Sequence, residues 1–175
     1  RRQMTPVAVS RVTLEDAFWC SRQEANKKVT IPHIEGIWKK LGCFDALKRE
    51  SAPGKGSQPE LAFESDVAKW VEAASYTLLT HPDKALDKRL DEVIAEVDKG
   101  QASEVGKVWA SELNALYSIG HMIEAGVAHY ESTGKRTLLD VCCRYADHID
   151  SVFGPEPGQK PGYTGHEEIE LALVR

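Results

Sequence analysis

The sequence predicts an all-α fold built from helical hairpins, in the manner of an α/α toroid, with one short β-strand at its N-terminus. Three observations lead there. Apolar residues recur three or four apart in successive segments, the period of one helix face. Helix-breaking chemistry separates those segments, at His81-Pro82, Gly100 and Ser132-Thr133-Gly134. The segments also alternate in character: 83–99 and 137–152 carry more charge, whereas 65–80 and 111–131 are richer in small and aromatic residues. An inner and an outer layer of helices follow from that alternation. A chain of 175 residues is too short to close a ring of six hairpins, so a partial six-hairpin barrel is expected. Its expected organisation is a strand and lead-in segment over 1–20, then an incomplete α/α barrel over 21–175.

Val7, Val9 and Val12 alternate loosely with smaller and polar residues, which suggests the strand at 7–12. No second strand candidate follows, so its pairing partner is expected outside the chain. A polar helix runs from Ser21 to Lys28. Thr30 is a candidate cap for the next helix, with Pro32 in the first turn, where its missing N–H costs little. Ile34, Ile37, Trp38 and Leu41 form that helix's apolar face, and Gly42 ends it. Residues 51–60 are a loop by composition.

Ser65 is expected to cap the next helix, with Asp66 favourable in its first turn and Val67, Trp70, Val71, Ala74, Thr77 and Leu78 inward. Asp83 starts another, burying Leu86, Leu90, Val93, Ile94 and Val97 and closing at Gly100. Residues 101–107 read as a connector. A long helix from about Ser111 places Leu116, Tyr117, Gly120, Ile123, Val127 and Tyr130 on one side. Gly120 and Gly126 weaken that helix, so they mark close approach by another element. Thr137–Val152 follows, then a Pro/Gly-rich loop over 154–165 and a last helix from near His166.

Composition narrows the function. Hydrophobic residues make up 42% of the chain, as in a globular domain, and the net charge of −5 gives no basic face for nucleic acid. No apolar run is long enough to span a membrane, and Arg1-Arg2-Gln3-Met4 lacks the apolar core of a signal peptide, so a cytoplasmic location is expected. Cys20, Cys43, Cys142 and Cys143 contain no C-x-x-C spacing and read as free thiols. The chain begins with Arg and stops in mid-helix at Glu168–Arg175, which suggests an incomplete chain and an apolar half-barrel edge available for self-association.

A set of colinear segments carries a family resemblance: Phe18-Trp19-Cys20-Ser21-Arg22, Lys28-Val29-Thr30-Ile31-Pro32-His33, Ser65-Asp66-Val67-Ala68-Lys69-Trp70, Leu116-Tyr117 with Gly120-His121, Thr133-Gly134-Lys135, Leu138-Leu139-Asp140, Ala146-Asp147-His148-Ile149, and Gly165-His166-Glu167-Glu168-Ile169-Glu170-Leu171-Ala172-Leu173. Together they resemble the N-terminal part of family 127 glycoside hydrolases, the β-L-arabinofuranosidases, over nearly the whole chain. The resemblance implies an α/α six-hairpin barrel followed by β-sandwich domains, to which the strand at 7–12 would belong. It implies a retaining hydrolase that releases terminal β-L-arabinofuranose or a similar sugar from glycans. In that family a zinc-held cysteine thiolate attacks the anomeric carbon, two more cysteines and a glutamate complete the zinc site, and a second glutamate is the acid and base. The resemblance places those groups beyond Arg175. No catalytic residue and no metal ligand is therefore expected within 1–175, and the isolated chain is expected to be inactive.

Substrate recognition is what the resemblance carries onto this chain. His121 and His166 match histidines that line the family's sugar pocket, and imidazole can both donate to and accept from hydroxyls. From the residues alone, His121 also reads as a core histidine and His166 as a helix cap. Asp66 is a third candidate, although a first-turn acid is already explained by the helix dipole. Glu167, Glu168 and Glu170 read as first-turn acids too. One departure from the family stands out: residues 101–115 are short and polar, and Asn114-Ala115 stand where the family has His-Glu. That change favours an alternative function, a catalytically inactive helical carbohydrate-binding or scaffold domain. The expected partner in either case is a small sugar or oligosaccharide.

Overall fold

The computed structural model describes residue 5 and residues 7–48, 63–162 and 166–175. The loop expected at 51–60 lies outside them. The described residues form α1 (Ala17–Ala25), α2 (Ile31–Leu41), α3 (Cys43–Ala46), α4 (Phe63–Thr80), α5 (Lys84–Ala102), α6 (Glu104–Ala110), α7 (Ala115–Thr133), α8 (Thr137–Val152) and α9 (Glu168–Val174). A π-helical segment, Asn26–Thr30, joins α1 to α2 without a break. The only β pairing among the described residues is a single bridge between Phe153 and Lys160. The fold is all-α, as expected.

The strand expected at 7–12 is not formed. Val9–Arg11 instead make one 3-10 turn, closed by the Arg11 N–H donating to the Ala8 carbonyl at 2.9 Å and Val12 N–H to Val9 at 3.0 Å. A lone strand leaves its backbone unpaired, and a turn satisfies some of those groups locally.

Local chemistry sets most helix ends. Asp16 accepts from the Trp19 N–H at 2.8 Å and starts α1 ahead of the expected Ser21. Asp83 accepts from the Ala85 and Leu86 N–H groups at 2.9 and 3.2 Å, as a cap of α5 should. Gly42 and Gly134 take positive φ, 77° and 74°, and end α2 and α7. Two expected caps fail: Thr30 is itself helical and caps nothing, and Ser65 lies inside α4, fully buried. Gly100 does not end α5, which continues to Ala102. The expected connector then contains α6, and α7 begins at Ala115 rather than Ser111.

α7 is the central helix. It packs most extensively against α4 and also holds α8 and α9. Val67, Trp70, Val71, Ala74, Thr77 and Leu78 of α4 are buried as expected, as are Leu90, Val93, Ile94 and Val97 of α5. α7 buries more than the predicted stripe: Ile119, Met122, Ala125, Ala128 and His129 are inside as well, whereas Tyr130 is 42% exposed. A helix covered on several sides has no single apolar face, so a one-stripe reading misses part of its core. Its glycines behave as predicted. A Cβ on Gly126 would lie 2.6 Å from Cys142 Sγ of α8, and one on Gly120 would lie 2.8 Å from Glu168 Cγ of α9.

Polar links join the layers. Trp70 Nε1 donates to the Ile31 carbonyl at 3.1 Å, and Arg89 Nε donates to Glu35 at 2.6 Å, tying α4 and α5 to α2. Arg175 pairs with Tyr76 of α4 and Glu124 of α7, just beyond α9. α9 leaves Leu171, Leu173 and Val174 exposed. None of the described helices is long and apolar enough to cross a membrane.

Candidate functional site

The site forms where α9 meets the first half of α7. Gly120 has no side chain, so the Glu168 backbone and Cγ settle against it. That approach brings Glu168 Oε1 to 3.0 Å from His121 Nδ1. His166, just ahead of α9, turns back so that its Nδ1 accepts the Glu168 N–H at 3.1 Å. Tyr117, one turn before His121, stands between the two imidazoles. Its ring centroid is 4.7 Å from that of His121 and 5.0 Å from that of His166, edge-on to both. Lys69 of α4 donates to the Tyr117 hydroxyl at 3.1 Å.

Charge and burial define the protonation state of His121. Burial pushes its pKa down to about 4, and the Lys69 and His166 charges act in the same direction, outweighing Glu124 and Asp66. The ring is neutral near pH 7. Its Nδ1 lies 3.0 Å from Glu168 Oε1, a contact of a neutral ring with a carboxylate rather than an ion pair. Nε2 is left buried with no hydrogen-bond partner among the described residues.

The structure thus brings His121 and His166 together around one aromatic ring; the N-cap position of α9 is Glu167 rather than His166, and no side-chain cap is formed there. Asp66 lies half-buried in the first turn of α4, close enough for its charge to act on His121. Three contributors were missed by the sequence reading: Glu168, Tyr117 and Lys69. Glu168 read as a first-turn acid and Tyr117 as part of an apolar stripe. The available signal was Gly120, which marked a close approach without revealing what approached.

Residues 101–115 lie elsewhere. α6 and the turn 111–114 carry Ala115 into the core and leave Asn114 exposed. Between that turn and Gln159–Pro161 runs an open cleft of about 630 Å³, lined by Glu112, Asn114 and Lys160 among others, but not by His121 or His166. Lys160 Nζ donates to the Ser111 carbonyl at 2.6 Å and holds the two sides together.

A zinc centre of three cysteines and a glutamate does not fit these residues. Cys142 is buried, its thiol donates to the Met122 carbonyl at 3.3 Å, and burial pushes its pKa up to about 12. Cys143 is exposed, whereas Cys142 is buried. The one group with metal-ligand spacing among the described residues is Asp87, Asp91 and His129, whose ligand atoms lie within 4.8 Å of one another. It has no cysteine, and Lys135 Nζ already donates to Asp87 at 2.7 Å and to Asp91 at 2.8 Å. An ammonium thus compensates both carboxylates.

An all-α domain of packed helices is consistent with part of an α/α barrel. More narrowly, the chain belongs to the family described as "Beta-L-arabinofuranosidase, GH127 catalytic domain", which matches residues 11–175. It is 37% identical over 201 residues to a non-reducing end β-L-arabinofuranosidase of Bifidobacterium longum subsp. longum, covering 94% of this chain and 30% of that protein. The solved structure of a GH127 β-arabinofuranosidase superposes with a TM-score of 0.84 at 34% identity, covering 97% of this chain and 30% of the other. A GH127 β-L-arabinofuranosidase from Geobacillus stearothermophilus T6 gives 0.80 at 37% identity, covering 94% and 29%. The chain therefore spans about a third of the length of the relatives it matches.

Proposed function

We propose that this chain supplies the sugar-recognition part of a glycoside hydrolase catalytic domain that releases terminal β-L-arabinofuranose. The single observation that carries the reading is the His121–Tyr117–His166 cluster, built on helices that lie in a family of arabinofuranosidases. A furanose offers a ring of hydroxyls, each donor and acceptor, and a neutral imidazole offers one of each. Tyr117 gives the pair an apolar wall, and Asp66 and Lys69 border the same corner. The bond-breaking groups, the zinc and the retention of configuration belong to the family's chemistry and are assigned to no residue of this chain.

Isothermal titration with L-arabinose, repeated with His121→Ala and His166→Ala, tests the reading. Binding by the chain that both substitutions abolish supports it. No binding by a folded chain overturns it.

The second reading is a helical carbohydrate-binding or scaffold domain without activity. In its favour are α6 and the 111–114 turn, which carry Asn114-Ala115, residues that the resemblance sets against a His-Glu pair. A chain that binds L-arabinose without hydrolysing an aryl β-L-arabinofuranoside fits this second reading.

A further inference from the structure

Asp87 and Asp91 stand one helical turn apart on α5, and His129 of α7 lies beside them. One ligand atom from each residue lies within 4.8 Å of the others. Lys135, just past the glycine that ends α7, donates to Asp87 Oδ1 at 2.7 Å and to Asp91 Oδ1 and Oδ2 at 3.0 and 2.8 Å. The protons of its ammonium are thus spent on carboxylate oxygens. His129 receives none of them. Its side chain is fully buried, yet neither ring nitrogen has a hydrogen-bond partner among the described residues. A buried imidazole in that state is unfavourable. Two carboxylates facing one ammonium also leave a negative charge over.

We propose that Asp87, Asp91 and His129 form a binding site for a divalent transition ion of the Zn2+ type, which replaces the Lys135 ammonium and ties α5 to α7. Two carboxylate oxygens and one imidazole nitrogen are a donor set that zinc accepts, with a further position left for water. A doubly charged ion in that place neutralises both carboxylates. It also gives the imidazole the partner that the ammonium does not.

The geometry allows the exchange. Zinc–ligand bonds of about 2.1 Å hold two donor atoms no more than about 4.2 Å apart, so the 4.8 Å span closes with a small carboxylate movement. The Asp87 and Asp91 side chains are 38% and 47% exposed, which leaves them room to move. Entry is from the same side, with the imidazole as the floor of the site. Lys135 has a flexible stem and a side chain 34% exposed, so it can swing into water. Partly solvated ion pairs of this kind are weak, which makes the ammonium a displaceable occupant. None of this depends on the sugar-site reading.

The experiment adds Zn2+ alone to the chain labelled with 15N-histidine and follows the ring nitrogens of His129. A saturable shift of one His129 nitrogen is expected in the native chain. In Lys135→Ala the affinity read from that shift should rise about tenfold, the worth of two partly solvated ion pairs. In Asp91→Asn it should fall by at least about tenfold. Asp91 is half exposed, and an unmoved His121 signal shows that the variant keeps its fold. A native His129 that zinc does not move overturns the proposal, even if Lys135→Ala responds, because the ammonium is then the permanent occupant. Equal affinity in Asp91→Asn, or a response confined to other histidines, overturns it as well.

Discussion

α7 carries two histidines, His121 and His129, eight residues and about two turns apart, and the helix treats them differently. Each sits close to a glycine that admits a neighbour: Gly120 lets in Glu168, and Gly126 lets in Cys142. Burial lowers the pKa of both rings. At His121 the neighbour is a carboxylate, 3.0 Å from Nδ1. At His129 the neighbour at the glycine is a thiol that bonds elsewhere, and Asp87 and Asp91 are already compensated by Lys135. His129 is fully enclosed, with neither ring nitrogen hydrogen-bonded among the described residues. The comparison shows that two histidines of one helix, both with pKa lowered by burial, can sit in different surroundings. The His121 side chain is 16% exposed and lies against a carboxylate, whereas His129 is enclosed.

The largest expected effect that sharpens this contrast is on stability against pH. His121 falls from 6.5 to about 4 on folding, so between those values the unfolded chain binds a proton that the folded chain does not. Stability rises with pH across that window and is lost as pH falls through it, by up to about 3 kcal/mol from this ring. His129 acts in the same direction, since its pKa is lowered too. Glu72, raised by burial and by Glu124, opposes them: its folded form binds the proton more readily, so it adds stability as pH falls. Urea denaturation of the chain and of His121→Asn at a series of pH values reads the difference. A His121→Asn chain with an unaltered slope between pH 6.5 and 4 would count against the buried neutral ring.

The two glycines give the next effect. Replacing either with alanine gains about 1 kcal/mol of helix propensity, against an overpacking cost of about 1–3 kcal/mol. At Gly120 the new Cβ meets the backbone of Glu168 at 3.0 Å as well as its side chain, so α9 itself must move. Gly120→Ala is expected to lower stability by about 1–2 kcal/mol and to weaken L-arabinose binding. At Gly126 the obstacle is Cys142 Sγ at 2.6 Å, a side-chain atom. Gly126→Ala is expected to cost about 1 kcal/mol, to leave sugar binding unchanged, and to be rescued by adding Cys142→Ala. Thermal melts and titrations of the three variants decide this. A Gly126→Ala chain that loses sugar binding would remove the distinction between the two ends of α7.

How much of this was legible in the sequence follows the range of the interaction involved. Local signals read well: Asp83 as a cap, Gly42 and Gly134 as helix ends, and the full extent of Thr137–Val152 depend on neighbours a few residues away. Gly120 and Gly126 announced close packing because a mid-helix glycine has a cost that something must offset. Their partners, Glu168 and Cys142, could not be read, since nothing local specifies which helix returns. Ser65 and Thr30 had the chemistry of caps, but each sits within a longer helix that tertiary packing extends past it. The strand at 7–12 failed because alternation describes a strand only where a second strand exists to pair with it. His121 and His166 came from the family resemblance, whereas their mutual arrangement through Glu168 needed three dimensions.

The smallest expected effect lies at the His129 end. Lys135 bridges Asp87 and Asp91 across the turn between α7 and α8, and its side chain is 34% exposed. Removing it breaks partly solvated pairs, so Lys135→Ala is expected to cost about 0.5–1 kcal/mol. That cost should shrink in high salt, where screening acts within a few ångströms. The more telling change is at His129. After burial, the charge of Lys135 is the main influence that lowers its pKa, while Asp91 and Asp87 raise it. Without the ammonium the two carboxylates act unopposed, so the His129 titration should move upward in Lys135→Ala. Histidine ring resonances followed against pH in both chains read this directly. An upward shift at His129 with His121 unmoved means that the two ends of α7 are electrostatically separate, each governed by its own neighbours. Equal movement of both rings would mean that α7 transmits charge along its length, and the contrast between the two histidines would then need another cause.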